Sequence, residues 1–152
     1  MTEPAEFVRL YAEEFINKRN WAIADRIFGP DFLYHGPNGG VPRAGREVYV
    51  KGSSGFLAAF PDWRADVRDV VAGGDLVTDR VHITATHTGS INNVPPTGET
   101  IDDDCAHIWR IEGGVIAEGW LFCTANMLRV MALASRGAQA PPRMARAALT
   151  RR

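Results

Sequence analysis

Cysteine is scarce in this 152-residue chain: Cys105 and Cys123 are the only two, with no Cys-x-x-Cys and no Cys/His spacing suited to zinc. A disulfide framework and a structural metal are therefore not expected. A reducing, cytoplasmic setting is the simplest reading, with each thiol acting as a small buried hydrophobe although the two lie across a proposed hairpin. No apolar run approaches the roughly 20 residues that span a bilayer, and the opening MTEPAEFVRL carries acids where a secretion signal has an apolar stretch. No phosphate-binding glycine loop and no Ser/His/Asp arrangement occur. A large excess of either charge is missing too, since the formal net charge is −1. That balance conceals an asymmetry. Arg136, Arg143, Arg146, Arg151 and Arg152 fall in the last 18 residues with no acid, which leaves the body 12 basic against 18 acidic residues. An acidic body argues against a nucleic-acid surface. The tail from 135 to 152 is rich in Ala, Pro and Gly and is expected to be solvated and poorly ordered, leaving 1–134 as a single domain.

What is present is a hydrophobic content of 45% with 23% charged residues, ordinary for a globular domain able to bury its own core. Phe7, Leu10, Tyr11 and Phe15 recur every three or four positions between Pro4 and Lys18, which predicts a helix with one buried stripe. Asn20 is a plausible N-cap for a second short helix carrying Trp21, Ala24, Ile27 and Phe28, stopped at Gly29-Pro30. Asp31 to His35 reads as a short strand, ended by the turn residues Gly36 to Gly40. A helical pattern holds from 44 to 60, expected to be irregular at Gly52 and Gly55. Alternation from Trp63 predicts a strand broken at Gly73-Gly74-Asp75, with a return strand from Leu76 to Thr88 and a Pro/Asn-rich loop from Gly89 to Gly98.

The densest set of polar and aromatic groups lies between Glu99 and Leu128, read as two strands joined at Gly113-Gly114. A Gly-Gly pair supplies the positive φ angles of a tight hairpin turn, so residues whose numbers sum to about 227 should face each other. Strand alternation then puts Asp103, Cys105, His107 and Trp109 on one face, with Trp120, Phe122 and Thr124 opposite them. Helices followed by strands in successive hairpins imply an α+β fold: three N-terminal helices packed on a strongly bent antiparallel sheet that encloses a pocket.

Short motifs in order along the chain resemble those of a known family. They are Asp31 with His35 and Pro37, Ala59-Phe60-Pro61-Asp62, Asp75-x-Val77 with Arg80, Thr86-His87-Thr88-Gly89, Pro95-Pro96-Thr97-Gly98, and Arg110-Ile111 leading into Gly114-Val115-Ile116-x-Glu118-x-Trp120. The series resembles the SnoaL-like polyketide cyclase branch of the NTF2-like cone fold. That resemblance implies a cofactor-independent enzyme, a homodimer or homotetramer, whose pocket takes a hydrophobic small molecule and closes a ring by aldol chemistry with an acid as acid/base. It also implies that acid four positions after Trp120, where this chain has Thr124. The family's Gln-Leu-Gly ending is replaced by Arg129-Val130-Met131-Ala132.

A hydroxyl with no adjacent base does not exchange protons near neutral pH as a carboxylate does, so other groups must take that role. His107 is the first candidate, because imidazole titrates near neutrality. Asp103, the one member of Asp102-Asp103-Asp104 aimed to its face, is the second. His35, Trp63, Trp120, Phe122 and Thr124 are candidates to line the pocket. Arg80 and His82 have two readings. They resemble the polar pair of limonene-epoxide-hydrolase-like relatives, yet the apolar odd positions Val77, Val81, Ile83 and Ala85 put them on the outer face. His87 is expected to organise its turn. A natural-product cyclase is the leading expectation. A non-catalytic binding protein that lost its acid is the alternative, as is an epoxide-opening or dehydratase relative.

Overall fold

The computed structural model describes residues 2–39, 41–91 and 93–139, the side chains of 134–139 excepted. The opening helix forms as its periodicity dictates, α1 (Pro4–Arg9) running on as a wider π-helical stretch, Leu10–Asn17. It buries Phe7, Val8, Tyr11, Ala12, Phe15 and Ile16. A turn of 3₁₀ helix, Trp21–Ile23, leads into α2 (Ala24–Ile27). Asn20 does not cap it; its amide donates to Glu14 instead. β1 (Phe28–His35) begins through Gly29-Pro30, and the two-residue β2 (Arg43–Ala44) pairs with it. α3 (Arg46–Ala58) runs unbroken through Gly52 and Gly55. Four longer strands follow: β3 (Arg64–Gly73), β4 (Leu76–Thr86), β5 (Thr100–Glu112) and β6 (Val115–Cys123), and α4 (Ala125–Gln139) closes the described chain.

The strands form one sheet in the order β2-β1-β6-β5-β4-β3. It is α+β and mostly antiparallel; one pair, β1 with β6, is parallel, because the chain re-enters the sheet beside its first strand after two hairpins. The second strand of the last hairpin stops at Cys123 rather than running to Leu128. Thr124 ends it by accepting the Met127 backbone N–H on Oγ1 at 3.1 Å, so it serves as N-cap of α4. Residues 135–139 of the Arg-rich segment continue α4, and its remainder lies outside the described residues. Among the described residues no helix is long and apolar enough to cross a membrane.

The face assignment of the last hairpin turns on one residue. Gly113 and Gly114 take φ of +61° and +79°, and the register beside them is the expected one, Glu112 with Val115 and Ile111 with Ile116. Ala117 is then left unpaired, and from Arg110–Glu118 onward each pair sums one higher, through His107–Leu121 and Cys105–Cys123. One extra residue in a strand moves all that follows to the other face. Trp120 and Phe122 therefore lie on the outer face, opposite Ile108 and Ala106, while Gly119 and Leu121 face inward. Gly119 is required there. A Cβ on it would sit 2.6 Å from the indole of Trp109, which is fully buried against it.

Arg80 and His82 are also on the outer face, as alternation within β4 favours. Arg80 bonds Asp69 at 2.6 Å and Asp104 at 2.7 Å; His82 places Nδ1 2.7 Å from Asp104 and Nε2 2.7 Å from Asp102. Both imidazole nitrogens can donate only when the ring is charged. Asp104, then Asp102, accordingly raise the His82 pKa, and His82 and Arg80 hold Asp104 below the usual carboxylate range.

Three outcomes follow from this packing. Gly119→Ala should destabilise the fold by about 1–3 kcal/mol through overpacking on Trp109, read as a lower urea midpoint. Thr124→Ala should cost about 0.5–2 kcal/mol, whereas Thr124→Asp, an equally good cap, should not. Because the folded His82 pKa is raised, its contribution is complete below about pH 6.5 and fades as pH rises through the folded value. Denaturation at several pH values should therefore show wild type and His82→Asn converging as pH rises through the folded His82 value.

Candidate active site

Alternation in β4 buries Val77, Val81, Ile83 and Ala85, and the same parity carries Asp79 inward with them. The β4–β5 register sets Asp79 directly across from His107. Both are 4% exposed. A carboxylate taken from water costs several kcal/mol unless its oxygens are fully engaged. Here Oδ1 accepts the His107 backbone N–H at 3.0 Å and lies 2.9 Å from the ring Nδ1, while Oδ2 accepts the Trp109 indole N–H at 2.8 Å. Two fixed N–H donors, one to each oxygen, match a carboxylate, to which the imidazole Nδ1 can add a third. Nδ1 of His107 then carries its proton toward Asp79, and Nε2 makes no hydrogen bond among the described residues. The imidazole is thus anchored through Nδ1, and Nε2 is its free nitrogen on the inward side of the sheet.

Aromatic rings fix the imidazole in place. It stacks on Trp109 with centroids 4.7 Å apart and 18° between planes, and meets Tyr11 edge-on at 5.3 Å. Thr78 Oγ1 donates to the His107 carbonyl at 2.8 Å and ties the two strands at that point. The Tyr11 and Tyr49 hydroxyls are 3.0 Å apart in the buried interior, and Tyr34 lies against Tyr49 at 4.7 Å. Burial lifts the Tyr11 and Tyr34 phenols well above their ordinary range and pushes Tyr49 up to about 12. All three remain protonated near neutrality, so each can donate a hydrogen bond and none is a base. Phe15, Phe28 and Phe32 fill the rest of this volume.

The other residues singled out in the sequence fall elsewhere. Asp103 shares the parity of His107 but stands four residues away, about 13 Å along the strand. Its carboxylate accepts from Asn126 of α4 at 3.0 Å, and Asp79 holds the place beside the imidazole that Asp103 was expected to take. His35 is on the outer side, since Phe32 and Tyr34 are the inward residues of β1. It stacks on Trp120 at 4.9 Å and meets Glu118 at 2.6 Å, and Glu118 is held below its usual range by His35 and Arg110. Phe122 is 45% exposed. Arg80, His82 and the capping Thr124 make no contact with the dyad. Trp63 packs at the rim of the core on Phe56 and Phe60. His87 does organise its turn: Nδ1 lies 2.9 Å from Thr97 Oγ1, and its backbone bonds Glu99 and Gly98.

Asp79 is the residue that sequence reasoning missed, although its parity with four buried apolar neighbours was visible. Its partner was hidden because β4 and β5 are joined by a long loop, which sets no register. A cavity of about 350 Å³ does open between α1 and β3, lined in part by Arg9, Glu13, Asn17, Arg64 and Asp66. Most of its polar groups are already engaged: Arg9 with Glu6, Arg64 with Asp66, and the Asn17 amide with both backbone groups of Ala65. Among the described residues no group of three or more His, Cys, Asp or Glu side chains is placed to hold a metal ion.

Comparison with known proteins places the chain in a family. The family model for SnoaL-like polyketide cyclases matches residues 5–130. Among solved structures, a candidate SnoaL-like polyketide cyclase from Jannaschia sp. CCS1 superposes with a TM-score of 0.75 at 21% identity, over 93% of this chain and 99% of that one. IdmH, a candidate polyketide cyclase from Streptomyces antibioticus, gives 0.71 at 28% identity over 86% and 98%. AclR, a candidate hydroxylase from Streptomyces galilaeus, gives 0.61 at 25% identity over 84% and 91%. A comparison with curated proteins finds no match. With the family model covering the sheet, the three N-terminal helices and both members of the dyad, the chain belongs to the SnoaL-like polyketide cyclase family.

Proposed function

We propose that the chain is a cofactor-independent enzyme that closes a ring in a polyketide-type or related hydrophobic intermediate, with His107 as acid/base and Asp79 as the group that orients it. The observation that carries this reading is the buried His107–Asp79 pair, in which Nδ1 is anchored and Nε2 makes no hydrogen bond on the inward face of the sheet. In an aldol closure, Nε2 of His107 takes the proton from a carbon next to a carbonyl. The resulting enolate carbon attacks a second carbonyl of the same molecule, and the imidazolium returns the proton to the new alkoxide. Asp79 stabilises the imidazolium through Nδ1, a role a buried carboxylate fills without itself being protonated. The protonated phenols of Tyr11 and Tyr49 supply donors for developing negative charge on oxygen. Substrate reaches Nε2 only when rings of the surrounding cluster move aside, because His107 is 4% exposed. An aromatic interior of this kind suits a flat, conjugated ligand.

A second reading is a binding protein without catalysis. It rests on Thr124, which occupies the expected position of the family acid and is engaged as a helix cap. The two readings separate on incubation of purified protein with natural-product precursors in the absence of added cofactor. On the catalytic reading a precursor is converted, and His107→Ala lowers kcat by about 10²-fold or more while Asp79→Asn lowers it by at least tenfold. Asp103→Asn should leave kcat within about twofold. Wild-type turnover by a folded His107→Ala protein would refute the assignment, and a precursor that binds yet is never converted would favour the binding protein.

A further inference from the structure

Apart from the dyad and the phenols, the interior holds a pair of reactive atoms that the proposed chemistry does not use. Cys105 and Cys123 stand directly opposite each other in the β5–β6 register, and both are free thiols. Antiparallel strands alternate between residue pairs that exchange backbone hydrogen bonds and pairs that do not. The backbone of Cys123 is turned away from β5, its N–H donating to Asn38 Oδ1 at 3.0 Å and its carbonyl accepting from Asn38 Nδ2 at 3.2 Å. The two cysteines are therefore a non-hydrogen-bonded pair, in which side chains approach most closely and Cα atoms are about 4.5 Å apart. That spacing lies within the roughly 4.4–6.8 Å that a disulfide spans. The extra residue at Ala117 puts both on the inward face, Cys105 two positions from His107. Asp79 and Cys123 both bear electrostatically on Cys105, and both thiols bear on Tyr34, so the pair adjoins the dyad and the tyrosine cluster.

We propose that Cys105 and Cys123 form a dithiol modification site inside the sheet, closed to an intramolecular disulfide by hydrogen peroxide and bridged by trivalent arsenicals. Cys123, the more exposed, reacts first. Its sulfur attacks the peroxide and takes one oxygen to become a sulfenic acid while water leaves. The Cys105 sulfur then displaces that oxygen as a second water and forms the S–S bond. Two electrons pass from the thiols to the peroxide, and both thiol protons end in water. An arsenoxide instead exchanges its oxygen for both sulfurs and releases one water, with no change of oxidation state. Burial raises both thiols, Cys105 far more, so thiolate is scarce near neutrality and closure is slow compared with that of a low-pKa redox cysteine. The bond would tie β5 to the last residue of β6, next to the cap of α4, and narrow the interior beside Tyr34.

The test treats the native full-length chain with hydrogen peroxide or with phenylarsine oxide and reads covalent mass after quenching in denaturant. Peroxide should remove the mass of two hydrogen atoms and abolish both titratable thiols, with dithiothreitol restoring them. Phenylarsine oxide should add once per chain and protect both thiols, and neither effect should survive in Cys105→Ser or Cys123→Ser. Two free thiols after treatment, a gain of oxygen without closure, or a disulfide-linked dimer in place of the intramolecular bond would each overturn the proposal. Because the readout is mass, it stands or falls independently of catalysis.

Discussion

A carboxylate buried at the centre of the sheet is the constraint on which the rest of the structure depends. Asp79 is withdrawn from bulk solvent, and its two oxygens face two nitrogens of His107 and one of Trp109. Losing one partner of such a group leaves an uncompensated charge, a loss of about 3–5 kcal/mol. The same three bonds fix the register of β4 against β5, the tautomer of His107 and the plane of the Trp109 ring. Gly119 belongs to this arrangement, because only a residue without a side chain lets the indole lie flat on β6 and turn its N–H toward Asp79. One interaction thus joins strand pairing, core packing and the chemistry of the site.

Alternation divides the sheet into two polar systems that do not mix. On the inner face Asp79 and His107 are enclosed by Tyr11, Trp109 and the phenylalanines; on the outer face Arg80, His82, Asp69, Asp102 and Asp104 share charges that water screens. Pairs of the second kind add little stability each, and their energies fall with salt. The inner pair is shielded, and for that reason its geometry can be held to one tautomer. Adjacent residues of one strand, Asp79 and Arg80, therefore have unrelated roles.

Resemblance to the SnoaL-like family implies an acid at the position after the last strand, where this chain has Thr124. Thr124 supplies a cap to α4, and proton transfer in the proposed reaction passes to an imidazole one strand away. A His–carboxylate pair and a lone acid reach the same end by different routes: the first tunes a base through orientation, the second through burial. The phenols beside His107 stay protonated because they are buried, which suits them to donate rather than to take a proton.

Local periodicity was enough to establish the amphipathic opening helix, the alternating β4 and the Gly113-Gly114 turn, since each depends on neighbours within a few residues. Motifs spread along the chain carried the family and with it the α+β fold. The inward placement of His107 was legible from its parity, and its residue type made it the candidate for proton transfer. Tertiary structure decided what depends on distant register. The unpaired Ala117 shifted pairing by one residue and sent Trp120 and Phe122 outward, an effect that no spacing rule reveals. The long loop between β4 and β5 left the partner of His107 open, and only cross-strand pairing identified Asp79 instead of Asp103. Parallel pairing of β1 with β6 sent His35 to the outer face, and the start of α4 turned Thr124 into a cap. Sequence patterns report which face a residue takes relative to its own strand; which residue it meets is settled by the pairing of segments far apart in the chain.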